Sequence, residues 1–515
     1  MSAIKQALCF VAFWVAPAAA LAEEPLSAID WLSKSVATGE PTSLLPRTTS
    51  EPPISTSALP GKISILSIDG PMPDALGLLP VSQTGLPYGL WGNTSTNDLT
   101  RLVQAERVET LPAIQSLLLK LLLAELAPPK DATALGQLFL ARVDKLLDLG
   151  ALDQALALLD LVEKPPAEVF RRWFDVALLL GEEDRACSAM VATPEIAPTF
   201  PARIFCLARS GDWNAAALSL RTGEALGYID ADMAERLSRF LDPELSDGEP
   251  DLTLPSRPSP LVFRLMEAIG QPLQTTTLPL AFSQADLRSN AGWKTRLEAG
   301  ERLARTGAIG ENQLIGLYTE QKAAASGGVW ERVKAIQALD KALASGDPDA
   351  VSRVLPVVWS QMVQVELEVP FANFFGPALS ELSLPEETAR LAFRIRMLSD
   401  DYESAAIARK PENTDEAFFI GIARGDVTNL SPPDQLGNAI MAAFRSQTKL
   451  SSGVDDLLAQ NKMGQAMLMA IDDITEGARG DLRRVTAGLL VLRKVGLEST
   501  VRRAALELLL LERRG

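Results

Sequence analysis

Side chains able to do chemistry are sparse in this chain. It carries 65 acidic residues, 49 basic ones, three cysteines and no histidine. Without imidazole, histidine-based triads, histidine-ligated zinc and haem held by histidine are excluded. The adjacent acids Glu182-Glu183, Asp400-Asp401 and Asp472-Asp473 are the first candidates for acid–base work. Consecutive positions on a helix do not face each other, so these pairs read as solvated surface. Ser–Lys hydrolysis needs no histidine, but no serine–lysine spacing singles one out. Ala-Ser-Gly-Gly at 325–328 looks like a phosphate loop, yet no Gly-Lys-Ser/Thr follows and no strand precedes. A helix N-terminal turn is expected there. No dinucleotide fingerprint, nucleophile elbow or EF-hand loop occurs. No catalytic residue, cofactor or metal ligand is assigned, and the chain reads as a non-enzyme.

The cysteines carry a different message. Cys9 lies in residues 1–22, where Lys5 precedes an apolar stretch ending in Ala20-Leu21-Ala22. That is the layout of a cleaved secretory signal peptide, too short to span a bilayer. The expected compartment is the periplasm, with no transmembrane span after cleavage. A formal charge of −16 opposes nucleic-acid binding. Cys187 and Cys206 remain, an even pair suited to an oxidising compartment.

The elements that place them follow from a period of about thirty residues. Phe139, Gly150 and Ala155 are followed by Phe170, Gly181 and Ala186, then by Phe200, Gly211 and Ala216. Each copy reads Phe-x10-Gly-x4-Ala. Leu152, Ala155, Leu156 and Leu159, like Trp213, Ala216, Ala217 and Leu220, fall at helical i, i+3, i+4, i+7 spacing. A copy is therefore a helix, a glycine turn and a second helix, a unit that buries its apolar face by stacking on its neighbours. Cys187 falls early in the second helix of the middle copy, and Cys206 late in the first helix of the last copy. The two helices are joined through residues 193–198, so a Cys187–Cys206 disulfide is expected.

Gly211-Asp212-Trp213-Asn214-Ala215-Ala216 resembles the inter-helix turn of tetratricopeptide (TPR) repeats. Residues 400–405, 461–466 and 496–501 are further look-alikes. The resemblance implies an all-α fold, a right-handed α-solenoid of TPR-like helix pairs, and a habit of binding peptides. Glu403-Ser404 and Glu498-Ser499 are similar to the Glu-Ser motif of exported lytic transglycosylases. Neither is followed by the Gly-Leu-Met-Gln type of segment that shapes that family's site.

Residues 23–40 form an amphipathic helix with Ile29, Trp31, Leu32 and Val36 as candidate docking residues. A Pro/Ser/Thr-rich linker spans 41–60, and an extended, irregular apolar strap spans 61–96, with a short extended run at 63–68. TPR-like repeats fill 97–245. A Pro-rich linker, 246–260, leads to a helical middle region, 261–345, and C-terminal helical repeats, 346–515. Pro112 and Pro166 suit helix starts, and Asp131, Asp212, Ser259 and Asp347 suit N-caps. The local excess of basic residues over 481–515 fits the charged outer face of a capping repeat. The expected function is a non-catalytic scaffold that binds another periplasmic or envelope protein through its solenoid surface. The rival is a cell-envelope hydrolase or carbohydrate-modifying enzyme with a carboxylate site in 261–345.

Overall fold

The computed structural model describes residues 72–511 apart from Asp247 and Ser446. The expected signal segment, the expected amphipathic helix with the candidate docking residues Ile29, Trp31, Leu32 and Val36, the expected linker at 41–60 and the first part of the expected strap lie outside the described residues. The described chain is all-α: 25 helices and no strand. A lone bridge joins Leu79 to Ala124.

Each copy of the Phe-Gly-Ala spacing is two helices joined at the glycine. Phe139, Phe170 and Phe200 lie in the first turns of Gln137–Asp148, Ala167–Leu180 and Phe200–Arg209. Gly150, Gly181 and Gly211 follow with φ of 74°, 84° and 89°. The next N–H in each case returns to a carbonyl five residues earlier: Ala151 to Leu146, Glu182 to Ala177, Asp212 to Leu207. That is a Schellman closure, whose left-handed residue is least strained as glycine. Ala155, Ala186 and Ala216 are fully enclosed in the second helices.

The same closure recurs at Gly227, Gly270, Gly307, Gly425 and Gly496. It recurs with other residues in the left-handed region at Glu366 and Asn461. The unit thus extends well beyond the three copies that share all three residue types. Those copies differ in depth. Phe139 and Phe170 are buried, whereas Phe200 is part-exposed. Gly150 packs under Leu280 and Leu303, while nothing lies close to Gly211.

Among the described residues, early helices meet late ones. Pro112–Leu123 packs on Glu498–Leu510 and on Met463–Gly477, and Thr96–Ala105 packs on Met463–Gly477. One apolar core consequently runs from Leu86 to Leu511. The strap contributes to this closure: Leu90 and Trp91 are buried, Asn93 donates to the carbonyl of Asn461 at 3.1 Å, and Gly464 donates to the carbonyl of Leu90 at 3.0 Å.

Several helices are capped by side chains, some of them remote. Asp212, Ser259 and Asp347 cap the helices that follow them. Asp131 does not, because the next helix begins only at Gln137. It accepts instead the N–H and hydroxyl of Thr96, at 2.9 and 2.8 Å. Asp74 accepts the N–H of Phe139 at 2.6 Å, where the preceding Gly136 has no side chain to offer. Arg142, wholly buried, donates to the carbonyls of Leu76, Leu122 and Ala124. It closes the end of Pro112–Leu123 and holds the strap against it.

A second core stands apart. It joins Phe170, Phe174, Ala186, Met190, Ile204, Phe205, Leu220, Leu237 and Leu265 into a lobe. Leu261 and Leu265 belong to it, so the Pro-rich stretch at 246–260 runs across this lobe and is not a boundary between units. Leu252 donates to the Gln271 side chain, and Arg239 donates to the carbonyl of Pro250.

Candidate binding groove in the disulfide-braced lobe

Cys187 on Glu183–Ala192 and Cys206 on Phe200–Arg209 form a disulfide, with their Cα atoms 4.9 Å apart. Both are buried in the lobe core. The bridge ties two packed helices whose own faces are short, where area burial alone holds less.

The same lobe holds a groove of about 800 Å³. Its walls are the middle of Ala167–Leu180, the starts of Phe200–Arg209, Ala231–Leu241 and Pro260–Ala268, and the extended stretch 253–259. Three helix N-termini converge because Thr199, Asp230 and Ser259 cap them from the intervening loops, accepting the N–H groups of Ala202, Met233 and Val262. The prolines at 255 and 258 keep the wall formed by 253–259 out of helix.

Asp175 sits in the wall of this groove, 4% exposed. Its Oδ2 receives no hydrogen bond from the described residues. Burial pushes its carboxyl up to about 7, with Arg171 and Arg172 pulling the other way. Those arginines are already engaged: Arg172 forks onto Asp144 at 2.6 and 2.8 Å, and both reach Glu168. The Nε of Arg236, also lining the groove, is buried without an acceptor. Tyr228 is half-exposed at the rim, its ring 5.7 Å from that of Phe200.

The lobe also carries unusual apolar exposure. Six of the fourteen exposed large apolar side chains among the described residues lie between 191 and 254: Val191, Trp213, Leu218, Leu226, Tyr228 and Leu254. Leu218 and Leu226 are 69% and 60% exposed.

The adjacent acids are held by arginines. Glu182 binds Arg185, and Glu183 binds Arg264. Asp400 binds Arg503, Asp401 binds Arg396, and Asp472 and Asp473 share Arg484. The Glu-Ser pairs come together, since Arg502 binds both Glu403 and Glu498 and the Tyr402 hydroxyl lies between Glu403 and Ser499. Within 261–345, Glu267 takes Arg264 and Arg288, and the buried Glu301 takes Arg332 and the Tyr318 hydroxyl. Gly328 precedes the helix Val329–Ala344, as expected for 325–328. The basic residues near the C-terminus, Arg484, Arg493, Arg502 and Arg503, each contact an acid.

Among the described residues no cluster of acids and cysteines is placed to hold a metal, and no helix is long and apolar enough to cross a membrane. Asp175 does not stand out in the sequence. Its only signal is an acid between Phe174 and Val176 in an otherwise apolar stretch of helix. Compared with models of known protein families, with curated proteins and with solved structures, this chain matches none.

Proposed function

We propose that this is an exported, non-catalytic binding protein. In this reading TPR-like pairs stack as a right-handed solenoid, and the disulfide-braced lobe docks a segment of another envelope protein. The observation that carries it is the concentration of exposed large apolar side chains in residues 191–254. Apolar surface of that kind is stabilised when a partner covers it, and aromatic anchors such as Trp213 and Tyr228 are the type that supplies most of the affinity of such contacts. The arginine-paired acids and the absence of histidine support binding over catalysis. A disulfide suits an oxidising compartment and so supports export.

The test replaces Leu218 and Leu226 by Asp, at positions whose exposure leaves the lobe core intact. The variant is expected to keep its helical signal and melting temperature and to lose the protein that co-purifies with the wild type from the periplasm. Retention of that protein at wild-type yield would refute the reading.

A further inference from the structure

We infer that the chain's own residues 26–36 cover the exposed apolar surface of the lobe, an autoinhibitory contact that a partner must displace. The contact stands on geometry alone, and its consequence rests on the partner-binding reading above. Trp213, Leu218, Leu226 and Tyr228 are the core of that surface, each about half exposed or more. Trp213 leans on Phe240 with ring centroids 6.3 Å apart, so the indole is held as an apolar platform. Residues 26–36 have the complementary pattern: Ile29, Leu32 and Val36 fall at i, i+3, i+7 with Trp31 beside them. That is the spacing of a segment that lays one apolar helical face on a partner surface.

The tether selects this occupant. The described chain begins at Met72, beside the start of Gln137–Asp148, where Pro73 stands against Gly136 and Asp74 accepts the N–H of Phe139. Chain direction reverses at each glycine turn, so Leu226 and Tyr228, which follow Trp213–Ala225, lie at the end of the third pair that corresponds to the place of Met72 on the first. Packed helices stand about 8–10 Å apart, which puts the surface roughly 20–30 Å from Met72. A flexible chain as long as residues 37–71 has a root-mean-square span of about 30–35 Å. A span that matches the gap gives the segment an effective concentration on the order of millimolar. A second copy of the chain at micromolar concentration competes about a thousandfold less well.

The contact is measured on the purified full chain, with its disulfide intact and no other protein present. A photoreactive residue replaces Trp31, and the chain is irradiated at about 1 µM, far below the effective concentration of the tether. Mass spectrometry is expected to find cross-links within one chain from position 31 to residues 210–230. With Leu218→Asp and Leu226→Asp in the same chain, at positions whose exposure leaves the lobe core intact, their yield should fall about fivefold or more. Absence of cross-links, cross-links between two chains, cross-links centred outside the lobe, or a yield unchanged in that variant would each overturn the inference. The consequence has its own readout. The chain with Ile29→Asp, Leu32→Asp and Val36→Asp should capture more of the periplasmic partner than the wild type does, because the competitor is gone. An equal or lower yield overturns the autoinhibition, whereas capture by neither chain refutes the partner-binding reading and leaves the cross-links to decide the contact.

Discussion

The carboxylate of Glu507, in the last helix, accepts the N–H of Ala113 in an early helix at 2.9 Å. Glu507 is 1% exposed. The helix Pro112–Leu123 starts after Leu111, which offers no capping oxygen, and Pro112 at its first position removes one N–H demand. A residue 394 positions away thus does the work of an N-cap. The bond joins the helix Pro112–Leu123 to the helix Glu498–Leu510, which pack against each other.

Glu507→Ala is accordingly expected to destabilise the protein by about 1–3 kcal/mol, the cost of a lost cap and a buried orphan N–H. Glu507→Gln, which keeps an oxygen, should cost less. Denaturant unfolding measures both. Equal, negligible effects would show that the contact contributes nothing to closure.

Gly464 sits in the helix Met463–Gly477 with the Trp91 indole against it. A Cβ at 464 would stand 2.5 Å from a Trp91 ring atom and 3.1 Å from the carbonyl of Leu90. Alanine is the better helix former by about 1 kcal/mol, so propensity alone predicts that Gly464→Ala stabilises. The packing predicts the opposite sign, a loss of roughly 1–3 kcal/mol from overpacking. Trp91→Leu in the same chain should recover part of that loss. A stabilised single variant would show that the strap does not grip this helix.

What the sequence disclosed, and what it withheld, divides along a physical line. The helix–glycine–helix unit was legible because the left-handed residue of a Schellman turn selects glycine and the close helix contact selects alanine, both local demands. The Cys187–Cys206 pair followed from that register. Asn461 and Gly496 were legible as weaker turns for the same reason, whereas Glu366 was hidden because glutamate seldom marks a left-handed turn. The closure was not legible: Glu507 with Ala113, Asp131 with Thr96 and Asp74 with Phe139 are long-range pairings that leave no mark on local periodicity. Asp131 looked like a cap and is one, but for a helix that precedes it. Asp175 was hidden because neither charge nor spacing told it apart from other helical acids. Its lack of a partner shows only once the groove is assembled.

Glu106 gives the fold a pH dependence of known sign. Burial pushes its carboxyl from 4.5 up to about 8, with the charge of Asp472 adding to the rise and Lys145 opposing it. Between those values the folded chain keeps a proton that the unfolded chain has lost. The contribution of this group to stability therefore falls as pH rises, by up to about 1.4 kcal/mol per unit, and levels off above the folded value. Glu106→Gln removes the penalty, so its melting temperature should exceed the wild type's by a margin that widens from pH 5 to pH 8. Parallel curves for the two proteins would contradict this.

Removing the disulfide should act on the lobe before the main core. Cys187 and Cys206 lie 19 residues apart, and opening a loop of that size costs about 3 kcal/mol in the chain-entropy picture. Hydrogen exchange in Cys187→Ser/Cys206→Ser is expected to quicken across 183–241 and to stay unchanged across 463–510. A uniform increase over the whole chain would mean that the two cores unfold as one.

The functional reading is tested most directly by where the lobe touches other proteins in the cell. A photoreactive amino acid is placed singly at positions 218 and 226 in the lobe, and at 357 and 407, which are exposed apolar sites outside it. The account predicts a discrete adduct of one and the same protein from 218 and 226 and none from 357 and 407. Adducts of equal yield from all four positions, or from 357 and 407 alone, would contradict it.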